Sequence, residues 1–194
     1  MKHKELAGLV GPPEKWQQKR DCQIKFLLER GLKQDHYLLD LGCGVLRGGI
    51  PIINYLNKGR YYGIEKDPKR LEKGLKEFRK SNLTDKNPTL STDYANLNIK
   101  FDYIWSFQVF IHFSDEILEE VLFKIKSNLK DKGVCYATVA LNKSRVNGSW
   151  LEYPYSERPF SFYEKIADAH DLTVNLLNYD SNNWRDMLEI RKRC

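Results

Sequence analysis

The sequence Leu-Leu-Asp-Leu-Gly-Cys-Gly-Val-Leu-Arg-Gly-Gly, residues 38–49, says more about the fold than any other stretch of this chain. Its apolar first part predicts a buried strand, and the turn Gly42-Cys43-Gly44 ends that strand. Gly48 and Gly49 stand where a helix is predicted to begin. Glycines let a backbone approach a ligand closely, and the N–H groups at a helix start point at whatever binds there. The stretch therefore predicts a binding site for a small molecule that carries a charged group.

Size and composition predict one globular domain covering residues 1–194. The chain is 41% hydrophobic and 30% charged, an ordinary soluble mix. No apolar run approaches the roughly 20 residues that cross a membrane, and no apolar stretch follows Met1–Glu5 as a secretory signal would. The four cysteines are far apart and form no C-x-x-C pair, which argues against a zinc or redox motif and fits a reducing compartment. We therefore expect a cytoplasmic protein that does not contact a membrane.

The formal net charge is +6. Basic residues alternate with acidic ones, as between Lys73 and Lys80, whereas a nucleic-acid surface would gather its cations on one face. We interpret the excess of positive charge as a lysine-rich, solvated surface, so nucleic acid is not the expected partner. The charge is compatible with an anionic small-molecule substrate.

Apolar runs and amphipathic stretches alternate along the chain, which predicts an α/β fold. We expect a doubly wound, mostly parallel seven-stranded sheet with helices on both faces, whose last two strands form an antiparallel edge hairpin. An N-terminal arm and helix (1–31) precede the sheet, and a substrate-side loop or lid (142–160) follows the fifth strand. The predicted strands are 36–41, 61–65, 88–92, 101–107, 134–141, 172–178 and 185–191. The predicted helices are 14–30 and four more that begin near residues 48, 67, 114 and 161.

Local signals give the helix ends. Asp67-Pro68 is a capping residue followed by proline, a strong helix start. Ser114 is expected to cap the next helix, whose apolar stripe extends to Leu129 until Gly133 breaks the helix. Ser161 and Glu164 have the spacing of a capping box.

Three kinds of glycine turn are compatible with a strand followed by a helix. A phosphate-binding Walker loop needs a Gly-Lys pair, and this chain has none. A dinucleotide fingerprint needs its third glycine one residue earlier than Gly48, and it needs more chain for a second half and a substrate domain. The third kind is an S-adenosylmethionine (SAM) site.

Asp40-Leu-Gly42-Cys43-Gly44 resembles the first motif of class I SAM-dependent methyltransferases. Further pieces of that family follow in its order: Tyr62-Gly-Ile-Glu65, Asp93-Tyr94, Phe101–Phe107 and Leu129–Gly133. The resemblance covers residues 36–141. The longer form, with Leu46-Arg-Gly-Gly49 and Phe110-Ile-His112, is similar to a bacterial subgroup associated with small-molecule and carbohydrate metabolism.

The resemblance implies a set of residues that bind SAM and its product S-adenosylhomocysteine (SAH). Glu65 is expected to accept hydrogen bonds from both ribose hydroxyls, and Asp93 from the adenine amino group. Asp40 either orients the turn or meets the methionine ammonium, and Arg47 either pairs with the methionine carboxylate or forms a helix-face salt bridge. The full predicted set is Asp40, Gly42, Cys43, Gly44, Arg47, Glu65, Asp93, Tyr94, Phe107 and Gln108.

His112 is the candidate general base, because histidine is the side chain whose ordinary pKa lies nearest neutrality and the residue follows the fourth strand. An alternative is that it only positions the substrate. Substrate contacts are expected from Trp16, Gln23, Tyr153 and Tyr155. The remaining histidines show no ligand spacing, so no metal is predicted.

The leading hypothesis is a methyltransferase that acts on a small molecule, at a hydroxyl or phosphate oxygen of a sugar, a nucleotide-linked precursor or a phosphorylated metabolite. Two alternatives stay open: an RNA methyltransferase, and a SAM-binding module without catalysis. The oligomeric state is expected to be a monomer or a homodimer.

Overall fold

The computed structural model describes residues 13–94, 97–141, 156–177 and 186–193. Its helices are α1 (Trp16–Glu29), α2 (Gly49–Tyr55), α3 (Pro68–Arg79), α4 (Asp115–Asn128) and α5 (Phe160–Ala169). Its strands are β1 (Leu38–Leu41), β2 (Tyr61–Ile64), β3 (Thr89–Ser91), β4 (Phe101–Ser106), β5 (Leu129–Val139), β6 (Leu172–Leu177) and β7 (Asp186–Lys192). Among the described helices, none is long and apolar enough to cross a membrane.

The strands form one seven-stranded sheet in the order β3-β2-β1-β4-β5-β7-β6. β1 pairs with β2, β2 with β3 and β4 with β5 in parallel, while β7 is antiparallel to both β5 and β6. The predicted mostly parallel seven-stranded α/β fold is therefore confirmed. The final hairpin is also confirmed, with its second strand inserted between β5 and the edge strand β6.

The chain divides into two compact units, Met1–Leu97 and Asn98–Cys194, and the single domain expected from length stays a prediction. In the first unit, every residue of β1 is buried, as its unbroken apolar pattern predicted. The predicted start of α3 is confirmed: the Asp67 side chain accepts hydrogen bonds from the backbone N–H groups of Lys69 and Arg70, and Pro68 follows it.

In the second unit, the expectation that Gly133 ends a helix is wrong. Helix α4 ends at Asn128, and β5 already begins at Leu129 and continues through Gly133. A Cβ on Gly133 would lie 2.8 Å from the Phe101 carbonyl oxygen. The pairing register with β4 shifts between Phe101 and Tyr103. The glycine therefore allows a close backbone approach within an irregular strand pair.

The capping box predicted at Ser161 and Glu164 is wrong as well. Helix α5 begins at Phe160, with Pro159 as its N-terminal flanking residue and no side chain capping it. Ser161 lies inside the first turn, so its hydroxyl cannot act as the cap. Proline at 159 fixes an extended residue with φ −66° immediately before the helix, and that sets the start two residues earlier than the motif suggested.

Candidate functional site

The turn after β1 has the backbone geometry that its glycines permit. Gly42 and Gly44 have φ angles of 80° and 57°, in the left-handed region that glycine adopts without penalty. Leu46 also has a positive φ of 58°, which is strained for a residue with a side chain. Its side chain is fully buried, so packing holds this conformation in place.

Backbone hydrogen bonds fasten the turn to the carboxyl end of β2. The N–H groups of Gly42 and Cys43 both donate to the Ile64 carbonyl oxygen, at 2.8 and 3.0 Å. The Gly44 N–H donates to the Glu65 carboxylate, at 3.0 Å from Oε2. Burial raises the pKa of the Cys43 thiol well above its ordinary value, which keeps the thiol neutral and unsuited to be a nucleophile.

Glu65 lies immediately after β2, and its carboxylate is held from two sides. Oε2 accepts from Gly44, and Oε1 accepts the backbone N–H of Asp67 at 2.9 Å. Arg70 Nη1 lies 3.9 Å from Oε1. The residue is only 6% exposed. Each carboxylate oxygen offers about two acceptor positions. The fixed carboxylate can therefore accept two further hydrogen bonds, as a vicinal diol would supply.

Asp40 is buried at the third position of β1, and its partner is a tyrosine. The Tyr61 hydroxyl donates to Asp40 Oδ2 at 2.6 Å. Burial raises the pKa of Asp40 to about 7, against the lowering effect of this hydrogen bond, and the nearby Glu65 charge adds to the rise. Sequence reasoning did not find Tyr61, which joins neighbouring strands behind the turn.

Helix α1 of the same unit packs against the turn. The Arg47 guanidinium lies over the Trp16 ring, 5.6 Å from its centroid. A Cβ placed on Gly48 would lie 2.3 Å from Gln23 Oε1, so the Gln23 side chain covers that glycine. Lys19, on the same face, is buried and was not predicted. Burial also lowers the pKa of Arg47 to about 10. Three predicted residues, Trp16, Gln23 and Arg47, are thus brought together.

The end of β3 lies beside Glu65. The Glu65 N–H donates to the Ser91 carbonyl oxygen at 3.1 Å, and the Asp93 N–H donates to Ser91 Oγ at 3.0 Å. Asp93 is exposed, and Tyr94 is half-buried. The structure therefore places the predicted adenine-side residues after the strand that neighbours Glu65.

In the second unit, Phe107 and Gln108 follow β4. The Phe107 ring stacks on Trp105, with centroids 5.7 Å apart. Gln108 has a φ of 60°, a conformation uncommon for residues with side chains. Its N–H donates to the hydroxyl of the buried Thr138 at 2.5 Å. Thr138 was not predicted, and only its place on β5, the partner of β4, could have indicated it.

His112 ends the short 3₁₀ turn Phe110–His112 and is half-buried. Its N–H donates to the Val109 carbonyl oxygen at 2.9 Å. Tyr153 and Tyr155, predicted to contact substrate, lie outside the described residues. Across the described part of the chain, no three His, Cys, Asp or Glu side chains form a group that could hold a metal ion.

Comparison with known proteins gives the family. A family model described as a methyltransferase domain matches residues 39–135, half of the chain. That range contains the turn at residues 42–44, Glu65 and His112.

Several solved structures share the fold. Magnesium protoporphyrin IX methyltransferase (ChlM) from Synechocystis PCC 6803, with bound SAH, is 18% identical with a TM-score of 0.70, over 91% of this chain and 83% of that one. The CcbJ methyltransferase from Streptomyces caelestis is 12% identical with a TM-score of 0.71, over 95% of this chain and 92% of that one. The glycopeptide N-methyltransferase MtfA is 11% identical with a TM-score of 0.69, over 89% of this chain and 90% of that one. The chain therefore belongs to the methyltransferase domain family and has the class I methyltransferase fold.

Proposed function

We propose that this chain is a SAM-dependent methyltransferase that acts on an oxygen of a small molecule. The observation that carries the proposal is the Glu65 carboxylate, fixed by the Gly44 and Asp67 N–H groups and still able to accept from a ribose diol. Two of the solved neighbours support it, because ChlM was solved with SAM and with SAH.

The residues of the first unit fit this cofactor. Gly42 and Gly44 adopt positive φ angles and carry no side chain, which allows a ligand to approach the backbone of the turn. In the proposal Glu65 binds the ribose, Asp93 the adenine, and Arg47 the methionine carboxylate, with Tyr94 and Cys43 lining the site. When bound, SAM supplies an electrophilic methyl group.

The residues after β4 serve the reacting groups in this proposal. Phe107 and Gln108 belong to the SAM-binding set and line the pocket beside the methyl group, and His112 takes the proton from an acceptor hydroxyl as its oxygen becomes nucleophilic. The place of His112, half-buried at the end of a short turn that follows β4, supports that role. Trp16 and Gln23 are proposed acceptor contacts.

The proposed acceptor is a sugar, a nucleotide-linked precursor or a phosphorylated metabolite. The subgroup resemblance supports a carbohydrate-associated acceptor, and the net charge of +6 supports an anionic one. Two solved neighbours are small-molecule O-methyltransferases by description, mitomycin 7-O-methyltransferase MmcR and NcsB1 of neocarzinostatin biosynthesis. They support oxygen as the methylated atom.

The test is transfer of radiolabelled methyl from SAM. The chain is incubated with three acceptor panels: free sugars and sugar phosphates, nucleotide-linked sugars, and total RNA. We expect incorporation with a member of the first two panels and its loss in His112→Ala, with His36→Ala as the matched control that keeps activity. Incorporation into RNA alone would overturn the small-molecule assignment. SAM binding without transfer to any panel would instead favour a non-catalytic module.

A further inference from the structure

The turn that carries His112 is fastened to the segment before α5. The Ser156 N–H donates to the Ile111 carbonyl oxygen at 2.8 Å, and the Ser156 hydroxyl donates to the Phe113 carbonyl oxygen at 3.4 Å. Arg158 Nη2 donates to the same Phe113 oxygen at 2.8 Å. The backbone carbonyls on both sides of His112 are therefore held from outside the turn.

Arg158 makes most of the side-chain contacts in this arrangement. Its side chain is buried, with 8% of the residue exposed. Both Nε and Nη2 donate to Oδ1 of Asp115, at 2.8 and 2.5 Å, and Asp115 lies in the first turn of α4. Its guanidinium also lies over the Phe162 ring of α5, 5.0 Å from the centroid. Its backbone N–H donates to Ala140, just after β5, at 3.2 Å. One side chain thus joins the His112 turn to α4 and α5.

Such a contact set requires arginine rather than any cation. A guanidinium is a planar fork that can donate to a carboxylate and a carbonyl while its face rests on an aromatic ring. A lysine ammonium could satisfy Asp115 or Phe113, but it cannot stack on Phe162 in the same way. The Arg158 side chain is buried and paired with Asp115, so it is not a solvated surface cation.

We propose that Arg158 is a positioning residue for His112. It holds the Phe113 backbone carbonyl next to the turn and is itself held by the Asp115 carboxylate, and so sets where the imidazole points and how much of it is accessible. Arg158 acts through the turn and not on the acceptor itself. The inference rests on the proposed role of His112 as the base.

The experiment measures the reactivity of each imidazole with diethyl pyrocarbonate, read by peptide mass spectrometry on the full chain. It needs no acceptor, and His36 and His170 serve as internal references. In Arg158→Met we expect the rate at His112 to rise about tenfold, the factor that corresponds to one charge-assisted hydrogen bond, with the reference rates unchanged. Arg158→Lys should restore part of the wild-type rate.

Two further variants keep the result interpretable if Arg158→Met does not fold. Asp115→Asn, at an exposed carboxylate, removes the negative charge that anchors the guanidinium and should give a smaller rise at His112 alone. Lys130→Met, which breaks the Lys130–Asp102 salt bridge elsewhere in the same unit, should leave His112 unchanged.

An unchanged His112 rate in folded variants would overturn the inference. A joint rise at His36, His112 and His170 would overturn it too, because it would report general loosening of the fold. Calorimetry with SAH on the same wild-type sample separates the two proposals. A chain that binds no SAH yet shows the local rise at His112 supports the Arg158 assignment and contradicts the proposed function.

Discussion

At the scale of single residues, the site depends on how side chains are held before any ligand arrives. The Glu65 carboxylate accepts one backbone N–H at each oxygen, from Gly44 and from Asp67. These bonds fix the plane of the carboxylate without using all of its acceptor positions. Ligand binding then requires little reorganisation of this group, which favours affinity.

Replacing Glu65 with glutamine tests this carboxylate. We expect SAH affinity to fall by about 10- to 100-fold, because a hydrogen bond to a charged group contributes roughly 1.5–3 kcal/mol and the amide NH₂ would face an N–H donor. Isothermal titration calorimetry measures the effect. Glu72→Gln, on the exposed face of α3, is the matched control and should bind SAH as the wild type does. Equal affinity in both variants would remove Glu65 from the site.

Thr138 gives a second prediction at this scale. Thr138→Val keeps the shape but removes the oxygen that accepts the Gln108 N–H. The lost acceptor should lower the free energy of unfolding by about 1–3 kcal/mol, since the N–H of the strained residue Gln108 loses this hydrogen bond. Urea unfolding measures this. Thr173→Val, at an exposed hydroxyl on β6, should change stability by less than about 0.5 kcal/mol. Similar losses in the two variants would contradict this account of Gln108.

At the scale of elements, helix α3 approaches the turn unusually closely. A Cβ on Gly74 would lie 2.9 Å from the Val45 carbonyl carbon and 3.1 Å from Val45 Cα. These are backbone atoms, which cannot move aside as a flexible side chain would. The glycine therefore sets how near the helix packs to the turn at residues 42–46.

The substitution Gly74→Ala tests this close packing. In an ordinary helix interior the change would stabilise by about 1 kcal/mol. Here we expect a loss of about 1–3 kcal/mol from overpacking, together with weaker SAH binding as the turn is displaced. Thermal unfolding and calorimetry measure the two effects, and Lys73→Ala, exposed on the same helix, should leave both near wild type. A more stable Gly74→Ala with full SAH affinity would show that the turn has room.

The sequence was informative about elements wherever a local rule sets the boundary. Asp67-Pro68 starts α3 as expected, because the cap is made within three residues. The prediction that Gly133 ends a helix was wrong because this glycine lies close to the Phe101 carbonyl of the neighbouring strand, and no local pattern reveals that contact. The prediction that Ser161 caps the helix was wrong because Pro159 already sets the helix start.

The same distinction applies to the site. That Glu65 lies beside the glycine turn was predictable, since the carboxyl ends of adjacent parallel strands meet at one edge. The groups that hold site residues were not. Tyr61 lies 21 residues from Asp40, Thr138 lies 30 from Gln108, and Arg158 lies 45 from Phe113. Such pairs depend on tertiary packing, which a single sequence does not show.

At the scale of the whole molecule, the buried Asp40 links stability to pH. Burial raises its folded-state pKa to about 7, above its value in an unfolded chain. The folded state therefore binds more protons than the unfolded state between those two values. Stability from this group is complete below the unfolded pKa and is lost as the pH rises through about 7.

Asp40→Asn removes that titration while keeping a carbonyl to accept the Tyr61 hydroxyl. We expect the stability of the wild type relative to this variant to fall between about pH 4 and pH 7 and to level off above that, with a slope of at most about 1.4 kcal/mol per pH unit. Urea unfolding of both proteins at intervals of one pH unit measures the difference. A difference that stays constant or grows with pH would contradict the raised pKa.

The most direct test of the account is equilibrium binding of SAH to the purified chain by calorimetry, with circular dichroism on the same sample. The account predicts saturable binding of one SAH per chain, with NADH giving no heat under the same conditions. A chain that is folded by circular dichroism and releases no heat with SAH or SAM would contradict it.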